Sequence, residues 1–419
     1  MNPPAALARP GNPADVPYDG GSSRPPLLVF AAQRWAFDWQ RPQQLLTRLA
    51  KHYRVFYVEA PLTTHQDAYL ECTVVARGVT VLVPHTRCGV AGLHDAQMPV
   101  VRGLLAAFVR EQRIVEPLAW LDTPAALPLL EGLAPRGVIY DCHVDPALLG
   151  EAAARHEAGL LRAADVVLAG GPSLYEARRG RHASVHCIAN AVDAAHFAPP
   201  ARGASGIEAV SARAIHADLH SPRLGWFGVV DERLDLALLA AIADRRPDWQ
   251  IVMAGPVLRI AASTLPQRPN IHWLGAQTYA ILPHLQAHWD VCLLPFKVDA
   301  CAHHAAPIEA LEYLAGQKSV VSTSAHDVVA LHGHIVRVAD GAAAFVEACR
   351  AAMCERGPLR RQRSIDALIA VHSCTWDRTA ERVRQLMVEF ARAPAPLPQR
   401  VPAALLAAGT PHAWAHAAG

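Results

Sequence analysis

The residues best placed to do chemistry stand at the ends of short apolar runs. Gly228 lies in the run Leu224 to Val230 (LGWFGVV), and Arg233 follows just beyond it. A glycine lets the backbone approach a bound anion, and a guanidinium close behind it can hold two anionic oxygens at once. The alternative is an arginine paired with Asp231 or Asp235 on a solvated face. Asp141 and His143 follow the run Val138 to Tyr140, so both can face a cleft, where histidine is the natural acid or base near neutral pH. The alternative for His143 is a structural histidine. Arg34, Trp35, Gln40 and Arg41 fall in the loop between the first apolar run and the first helical pattern. Trp35 and Trp39 can equally close the top of a core there.

The elements that must carry these residues alternate. Leu27 to Ala32 (LLVFAA), Val55 to Val58, Val79 to Val83, Ala119 to Leu121, Val138 to Tyr140 and Asp165 to Ala169 read as strands, with helical spacing between several of them. Gly170-Gly171-Pro172-Ser173 suits a helix start with Ser173 as its cap. The second half repeats the pattern: strands at Leu224 to Val230, Trp249 to Ala254, Val291 to Pro295 and Val320 to Ser322, and a helix opened by Pro307. The expectation is an α/β fold of two doubly wound domains, residues 26–200 and 222–372, joined by an aperiodic linker at 201–221. Trp376 to Phe390 places apolar residues at 383, 386, 387 and 390, an amphipathic helix within 373–392. The Pro/Ala-rich ends, 1–25 and 393–419, are expected to be disordered tails.

Composition narrows the classes. The 419 residues are 52% hydrophobic and 18% charged, with 39 Lys+Arg against 37 Asp+Glu. A net charge of +2 argues against a nucleic-acid partner, which calls for a dense basic excess. No apolar run is long enough to cross a membrane, and Met1 to Gly21 lacks the apolar stretch of a signal peptide. The nine cysteines are scattered without a CxxC pair, as expected of thiols in a reducing, cytoplasmic setting. Among 22 histidines only His303 and His304 are adjacent, no HExxH occurs, and no DxD stands in a convincing loop; no metal site is expected.

Several segments together resemble a GT-B glycosyltransferase of the family 4-like branch found with bacterial polysaccharide and cell-envelope pathways. They are Arg34-Trp35 with Gln40-Arg41-Pro42-Gln43, Tyr140-Asp141-Cys142, Ala164 to Val167 with Ser173-Leu174-Tyr175, and Asn190 to Asp193 with His196-Phe197. In the second half they are Gly225 to Leu236, Arg246 to Trp249, Gly255-Pro256-Val257, Pro269-Asn270-Ile271, Leu274-Gly275, Trp289 to Phe296, and Glu312 to Thr323 with Asp327-Val328. The resemblance spans about residues 27 to 392. It implies an acceptor domain first, a nucleotide-sugar donor domain second, and a last helix crossing back to the first domain.

On that resemblance, Gly228 and Arg233 hold the donor diphosphate and Glu312 accepts both hydroxyl protons of the ribose, as an acceptor-only carboxylate can. Pro295 and Phe296 flank the base, unless they are plain strand-end packing. Asp141 is a base or sugar-hydroxyl partner, and His143 an acid/base group or donor-sugar contact. Trp35 stacks on a sugar and Arg41 positions donor phosphate or an anionic lipid-linked acceptor. The implied reaction moves a hexose-type sugar from a nucleotide-diphosphate co-substrate, with no cofactor, to a polysaccharide or lipid-linked acceptor, with retention and without metal. A peripheral contact with the inner membrane face is left open. The chain departs from the family's pattern where the donor phosphates should bind. Glu309 stands where a lysine is usual, and His304 where the first glutamate of an EX7E pattern would be. Lys297, Lys318 or the His303-His304 pair would have to compensate. The competing reading is an inactive relative that binds a sugar nucleotide or scaffolds a polysaccharide-synthesis complex.

Overall fold

A computed structural model describes residues 24–37, 39–201, 203–298 and 306–392. The terminal segments expected to be tails therefore lie almost wholly outside the described residues, as do His303 and His304. Among the described residues the first half builds β1 (Pro26–Phe30), β2 (Arg54–Val58), β3 (Leu62–Thr63), β4 (Tyr69–Ala76), β5 (Val79–Thr86), β6 (Leu118–Leu121), β7 (Gly137–Cys142), β8 (Val166–Ala169) and β9 (Val185–Cys187). They form one sheet in the order β3-β5-β2-β1-β6-β7-β8-β9, parallel throughout, with β4 added antiparallel to β5. The helices are α1 (Arg41–Leu49), α2 (Met98–Glu111), α3 (Glu151–Ala163) and α4 (Pro172–Arg178).

The second half builds β10 (Arg223–Phe227), β11 (Gln250–Ala254), β12 (Ile271–Gly275), β13 (Val291–Leu294), β14 (Val320–Ser322) and β15 (Arg337–Val338), an all-parallel sheet in the order β12-β11-β10-β13-β14-β15. Around it stand α5 (Ile207–Ile215), α6 (Leu236–Arg245), α7 (Leu282–Ala287), α8 (Glu309–Ala315), α9 (His326–His332), α10 (Ala342–Cys354) and α11 (Gly357–Ser373), and α12 (Trp376–Arg392) ends the described chain.

The apolar runs are continuous because both faces of each sheet are covered. On β1, Leu28 and Phe30 point into one core while Leu27 and Val29 point into the other; β2 divides Phe56 and Val58 from Val55 and Tyr57 in the same way. This is the strand's two-residue period read against helices on both sides. The second of these cores closes only with α12. Its Trp376, Ala380, Val383 and Met387, spaced at four, three and four residues, pack against Leu45, Leu46 and Leu49 of α1. A fully buried side chain of this size contributes about 1.5–3 kcal/mol, so the returning helix is an integral part of the first domain.

The linker expected at 201–221 is not aperiodic. It contains α5, whose Ala209 and Ala212 are buried, Ala212 within the core of the second domain. Alanine's small side chain gives a weak periodic signal, and the packing of the helix on α7 supplies what the sequence pattern lacks.

Candidate functional site

The carboxyl ends of both sheets meet the boundary between the domains. β10 is followed by Gly228, with φ +144°, and β11 by Gly255, with φ +150°. Both values favour glycine, and a Cβ on Gly255 would drive into the Gly228 carbonyl, so the two turns stack directly. The Gly228 N–H donates to the Ala254 carbonyl at 3.0 Å and Val230 N–H to Pro256 at 2.9 Å, which zips the following loops together.

Arg233 lies on this loop, and its partner is Asp231. Its Nε and Nη2 reach the Asp231 carboxylate at 3.0 and 2.7 Å, and Asp231, 1% exposed, also accepts from Arg259 at 2.5 Å. Asp235 instead caps α6 by accepting from Leu238 N–H at 2.8 Å. Burial works against the charge of Arg233, but hydrogen bonds and attraction from Asp231, with lesser attraction from Glu309 and Glu232, hold its pKa above the ordinary arginine value. Glu309 reaches the same turn: a Cβ on Gly228 would fall 2.5 Å from its Oε1. The position where a cation was expected is thus occupied by a carboxylate against the glycine turn. Of the residues expected to compensate, Lys318 donates to the carbonyls of Ala287 and Trp289 at 2.9 and 2.8 Å, at the end of α7. Lys297 joins the loop through its backbone, donating to the Arg233 carbonyl at 2.8 Å.

Pro295 and Phe296 are built into this loop. The Pro295 carbonyl accepts from Asp235 N–H at 2.8 Å, the Phe296 carbonyl from Thr323 Oγ1 at 2.7 Å, and Phe296 is buried in the core. The geometry is that of strand-end packing. Pro307 precedes α8 by two residues, so the helix opens at Glu309 and the proline lies in the approach to it. Tyr313, one residue after Glu312, accepts from Phe227 N–H at 2.9 Å through its hydroxyl, which pins α8 to the end of β10. Glu312 is 5% exposed. Desolvation first, then the charge of Glu312, raises the pKa of Tyr279, whose hydroxyl accepts from Gln44 of the first domain at 3.2 Å.

In the first domain, Trp35 is 8% exposed and packs edge-on to Tyr57 and Trp39, with ring centroids 5.1 and 6.4 Å apart. It closes the core, the alternative expected for it. The backbone N–H of Trp35 donates to Glu59 Oε1 at 2.7 Å, and Arg34, partly exposed, pairs with Glu59 Oε2 at 2.7 Å. Gln40 is the N-cap residue of α1, where its N–H donates to Gln43 Oε1 at 3.1 Å. Arg41, expected at the cleft edge, lies beneath it at 3% exposed. Its Nε and Nη2 grip Asp141 at 3.1 and 2.8 Å and its Nη1 donates to the Ile188 carbonyl at 2.8 Å. Asp141, likewise 3% exposed, is committed to that bidentate pair and is not placed as a base. Helix α1 starts in mid-domain, and its first side chain is drawn down to the end of β7.

His143 has the more open position. Its Nδ1 lies 3.2 Å from the Asp141 carbonyl, which fixes the tautomer with Nδ1–H and leaves Nε2 as a lone-pair acceptor on a partly exposed ring. Desolvation, and secondarily Arg41, lower its pKa against an opposing pull from Asp141, so the ring is neutral at pH 7. His143 packs over Gly170, and the adjacent Gly171 touches Ala306 and Asp327 of the second domain. Asn190 Nδ2 donates to the Ala306 carbonyl at 2.9 Å. His143 and the approach to α8 therefore sit on facing sides of one boundary.

Ser173, expected to cap α4, does not. It lies inside the helix, and its N–H and Oγ donate to Asp327 Oδ1 and Oδ2, both at 2.9 Å. A carboxylate of the second domain, 0% exposed, thus satisfies the open N-terminus of a helix in the first. This contact and the Gln44–Tyr279 pair join residues 154 and 235 positions apart, and no local pattern announces them. Asp122 directly follows β6, and on the neighbouring strand Asp141 is the last residue but one of β7. Asp122 is 7% exposed and accepts from Ala32 N–H at 3.0 Å. Among the described residues no group of three His, Cys, Asp or Glu side chains converges as a metal site would need.

These buried groups set a pH dependence of folding. Burial pushes His216 and His332 down to about 4, so each costs stability as pH falls below the unfolded value of ~6.5. Burial pushes Asp122 up to about 8, so its native form keeps a proton that the unfolded chain releases near ~3.9, and stability falls as pH rises toward 8. From these three groups stability rises by about 1.4 kcal/mol per pH unit between about 4 and 6.5 and falls by about as much per unit up to 8. Urea denaturation is expected to show a maximum near pH 6.5, with Asp122→Asn flattening the upper limb. A wild-type maximum at pH 8 or above would contradict the assignment.

No protein-family model matches the chain. Over 104 residues it is 28% identical to the Bacillus subtilis (strain 168) protein described as "Putative teichuronic acid biosynthesis glycosyltransferase TuaH", a stretch covering 24% of this chain and 26% of that one. The chain thus spans about a quarter of the length of this curated relative. Likeness to solved structures extends much further. HepE of Anabaena in complex with UDP and glucose matches with a TM-score of 0.64 at 14% identity, over 86% of this chain and 99% of that one. Sucrose-phosphate synthase of Thermosynechococcus elongatus matches with a TM-score of 0.68 at 13% identity, over 87% and 99%. An E. coli structure described as trehalose-6-phosphate bound with UDP-2-fluoro glucose matches with a TM-score of 0.64 at 13% identity, over 87% and 99%. Related in sequence to a glycosyltransferase over part of its length and alike in structure over most of it, the chain has the GT-B fold, two Rossmann-like domains facing a cleft.

Proposed function

We propose that the chain is a glycosyltransferase that moves a sugar from a nucleotide-diphosphate donor to a saccharide or lipid-linked saccharide acceptor, in the synthesis of a bacterial polysaccharide or cell-envelope glycan. The observation that supports this best is one juxtaposition. The stacked glycine turns, Arg233 and Glu309 gather beyond the carboxyl ends of β10 and β11, and the approach to α8, the helix that carries Glu309 and Glu312, faces His143 across the domain boundary. Solved structures of this fold are described in complex with UDP and with UDP-glucose, which makes a uridine diphosphate sugar the first donor to try.

In this reading the glycine turn lets backbone N–H groups approach the diphosphate, Arg233 offers its remaining guanidinium face, and Glu312 takes the ribose hydroxyls. His143 presents a neutral Nε2 lone pair to a hydroxyl of the donor sugar or the acceptor. Retention at the anomeric carbon follows from the family resemblance, and charge at the leaving diphosphate is offset by arginine and backbone dipoles without a metal ion.

A panel of nucleotide sugars tests the reading by release of free nucleoside diphosphate from the purified protein. Turnover with at least one donor, undiminished by EDTA, is expected. Binding by calorimetry without turnover in the presence of oligosaccharide and lipid-linked acceptors would instead establish the inactive, sugar-nucleotide-binding relative. Turnover that is lost with EDTA and restored by Mg²⁺ or Mn²⁺ would overturn the metal-free assignment. Glu312→Ala is expected to weaken UDP binding about 10- to 100-fold, the loss of charge-assisted hydrogen bonds to a diol. Unchanged affinity would remove Glu312 from the donor site.

A further inference from the structure

Helix α11 leaves an apolar face in water. Its inner side is held by Ala367 and Val371, buried in the core of the second domain, and it packs on α8, the helix that carries Glu309 and Glu312. On the opposite side Ile365, Leu368 and Ile369, spaced as neighbours on a helix, are 50, 50 and 60% exposed, and Leu359 in the first turn is 71% exposed.

The charged residues at the start of this helix are of one sign. Arg356, Arg360 and Arg361 are exposed at the start of the helix, the first turn has no acidic residue, and none of the three pairs with a carboxylate among the described residues. Arg356 instead donates to the carbonyls of Met353 and Glu355 at 2.6 and 2.9 Å. The helix's half-buried carboxylate, Asp366, is engaged by Gln362 at 2.9 Å. Arginines at the positive end of a helix dipole are placed against the local field, and anions there reverse that penalty. Exposed aliphatic side chains next to unneutralised guanidinium groups are what a surface of anionic headgroups over acyl chains complements.

We infer that α11 docks the protein on an anionic lipid membrane, with Ile365, Leu368 and Ile369 inserted at the acyl boundary and Arg356, Arg360 and Arg361 on lipid phosphates. The inference extends the transferase reading, because it would bring the enzyme to a surface that carries lipid-linked acceptors; it rests on that reading only for the acceptor's identity. Among the described residues no helix is long and apolar enough to cross a membrane, so contact of this kind is peripheral.

Flotation of the full chain with vesicles, without donor or acceptor, tests the surface by itself. Wild-type protein is expected to float with phosphatidylcholine vesicles containing phosphatidylglycerol and to remain behind with phosphatidylcholine alone. Removing the arginines, as R356Q, R360Q and R361Q, should weaken binding about fivefold each. The combined variant I365N/L368N/I369N should abolish flotation while keeping the wild-type melting temperature and UDP affinity. Absence of wild-type flotation, or flotation unchanged in the variants, overturns the proposal. So does wild-type self-association in sedimentation that the apolar variant loses without any vesicle binding, since the face would then pair with a second copy. UDP affinity is measured separately, so a failed membrane contact leaves the donor site standing and a failed donor site leaves the membrane contact standing.

Discussion

Glu309→Lys is expected to tighten the binding of UDP about 10- to 100-fold. The carboxylate of Glu309 lies against the Gly228 turn and attracts Arg233, which Asp231 already holds at two points. A diphosphate entering here therefore meets two carboxylates beside the guanidinium that should receive it. Like charges at this distance raise the cost of ionising both groups, and a nucleoside diphosphate cannot shed its charge near pH 7. Lysine at this position removes the repulsion and adds a charge-assisted donor worth about 1.5–3 kcal/mol. In the unliganded protein the new ammonium faces Arg233, so a small loss of thermal stability, recovered on adding UDP, should accompany the gain. Calorimetric titration reads the affinity directly. Affinity equal to or weaker than wild type would mean that the diphosphate does not reach this turn.

The second large effect is structural. Asp141→Ala leaves the Arg41 guanidinium buried without its bidentate partner, and the expected cost is about 3–5 kcal/mol of folding stability. Arg41 also donates to the Ile188 carbonyl, so its displacement breaks a contact between α1 and the end of β9. Asp141→Asn keeps one acceptor oxygen and should cost less. If Asp141 acted only on substrate, both variants would lose turnover and keep wild-type stability. Chemical denaturation at pH 7 separates the two, because Arg41→Met combined with Asp141→Leu should recover much of the stability lost by either charge alone.

The fold was legible because its signal is local. Each strand is a short apolar run; Gly255 stands where one stops, whereas Gly228 lies inside the run Leu224 to Val230, of which β10 takes only the part to Phe227. The spacing at 383, 386 and 387 marks the buried stripe of α12, although only the core of the first domain shows what that stripe covers. Where side chains are small the signal faded, and α5, with its alanines, read as a linker. For the candidate site, position along the chain was readable and orientation was not. Asp141 is the last residue but one of β7 and His143 follows the strand, two residues from Asp141. One is clasped by Arg41, and the other keeps a partly exposed ring with its Nδ1 on the Asp141 carbonyl.

By itself, the sequence determined two α/β domains, an amphipathic last helix and a carboxylate at residue 309, since periodicity and residue type are properties of neighbouring positions; the helix's return to the first domain and the cation expected at 309 were implied by the family resemblance. The tertiary structure alone decided which charges are spent. Arg41 goes to Asp141, Arg233 to Asp231, Lys318 to the end of α7, and Asp327 to the open end of α4 across the domain boundary. The physical reason is that a buried charge must be matched by whatever group lies within about 3 Å of it, and folding, not sequence order, brings that group there.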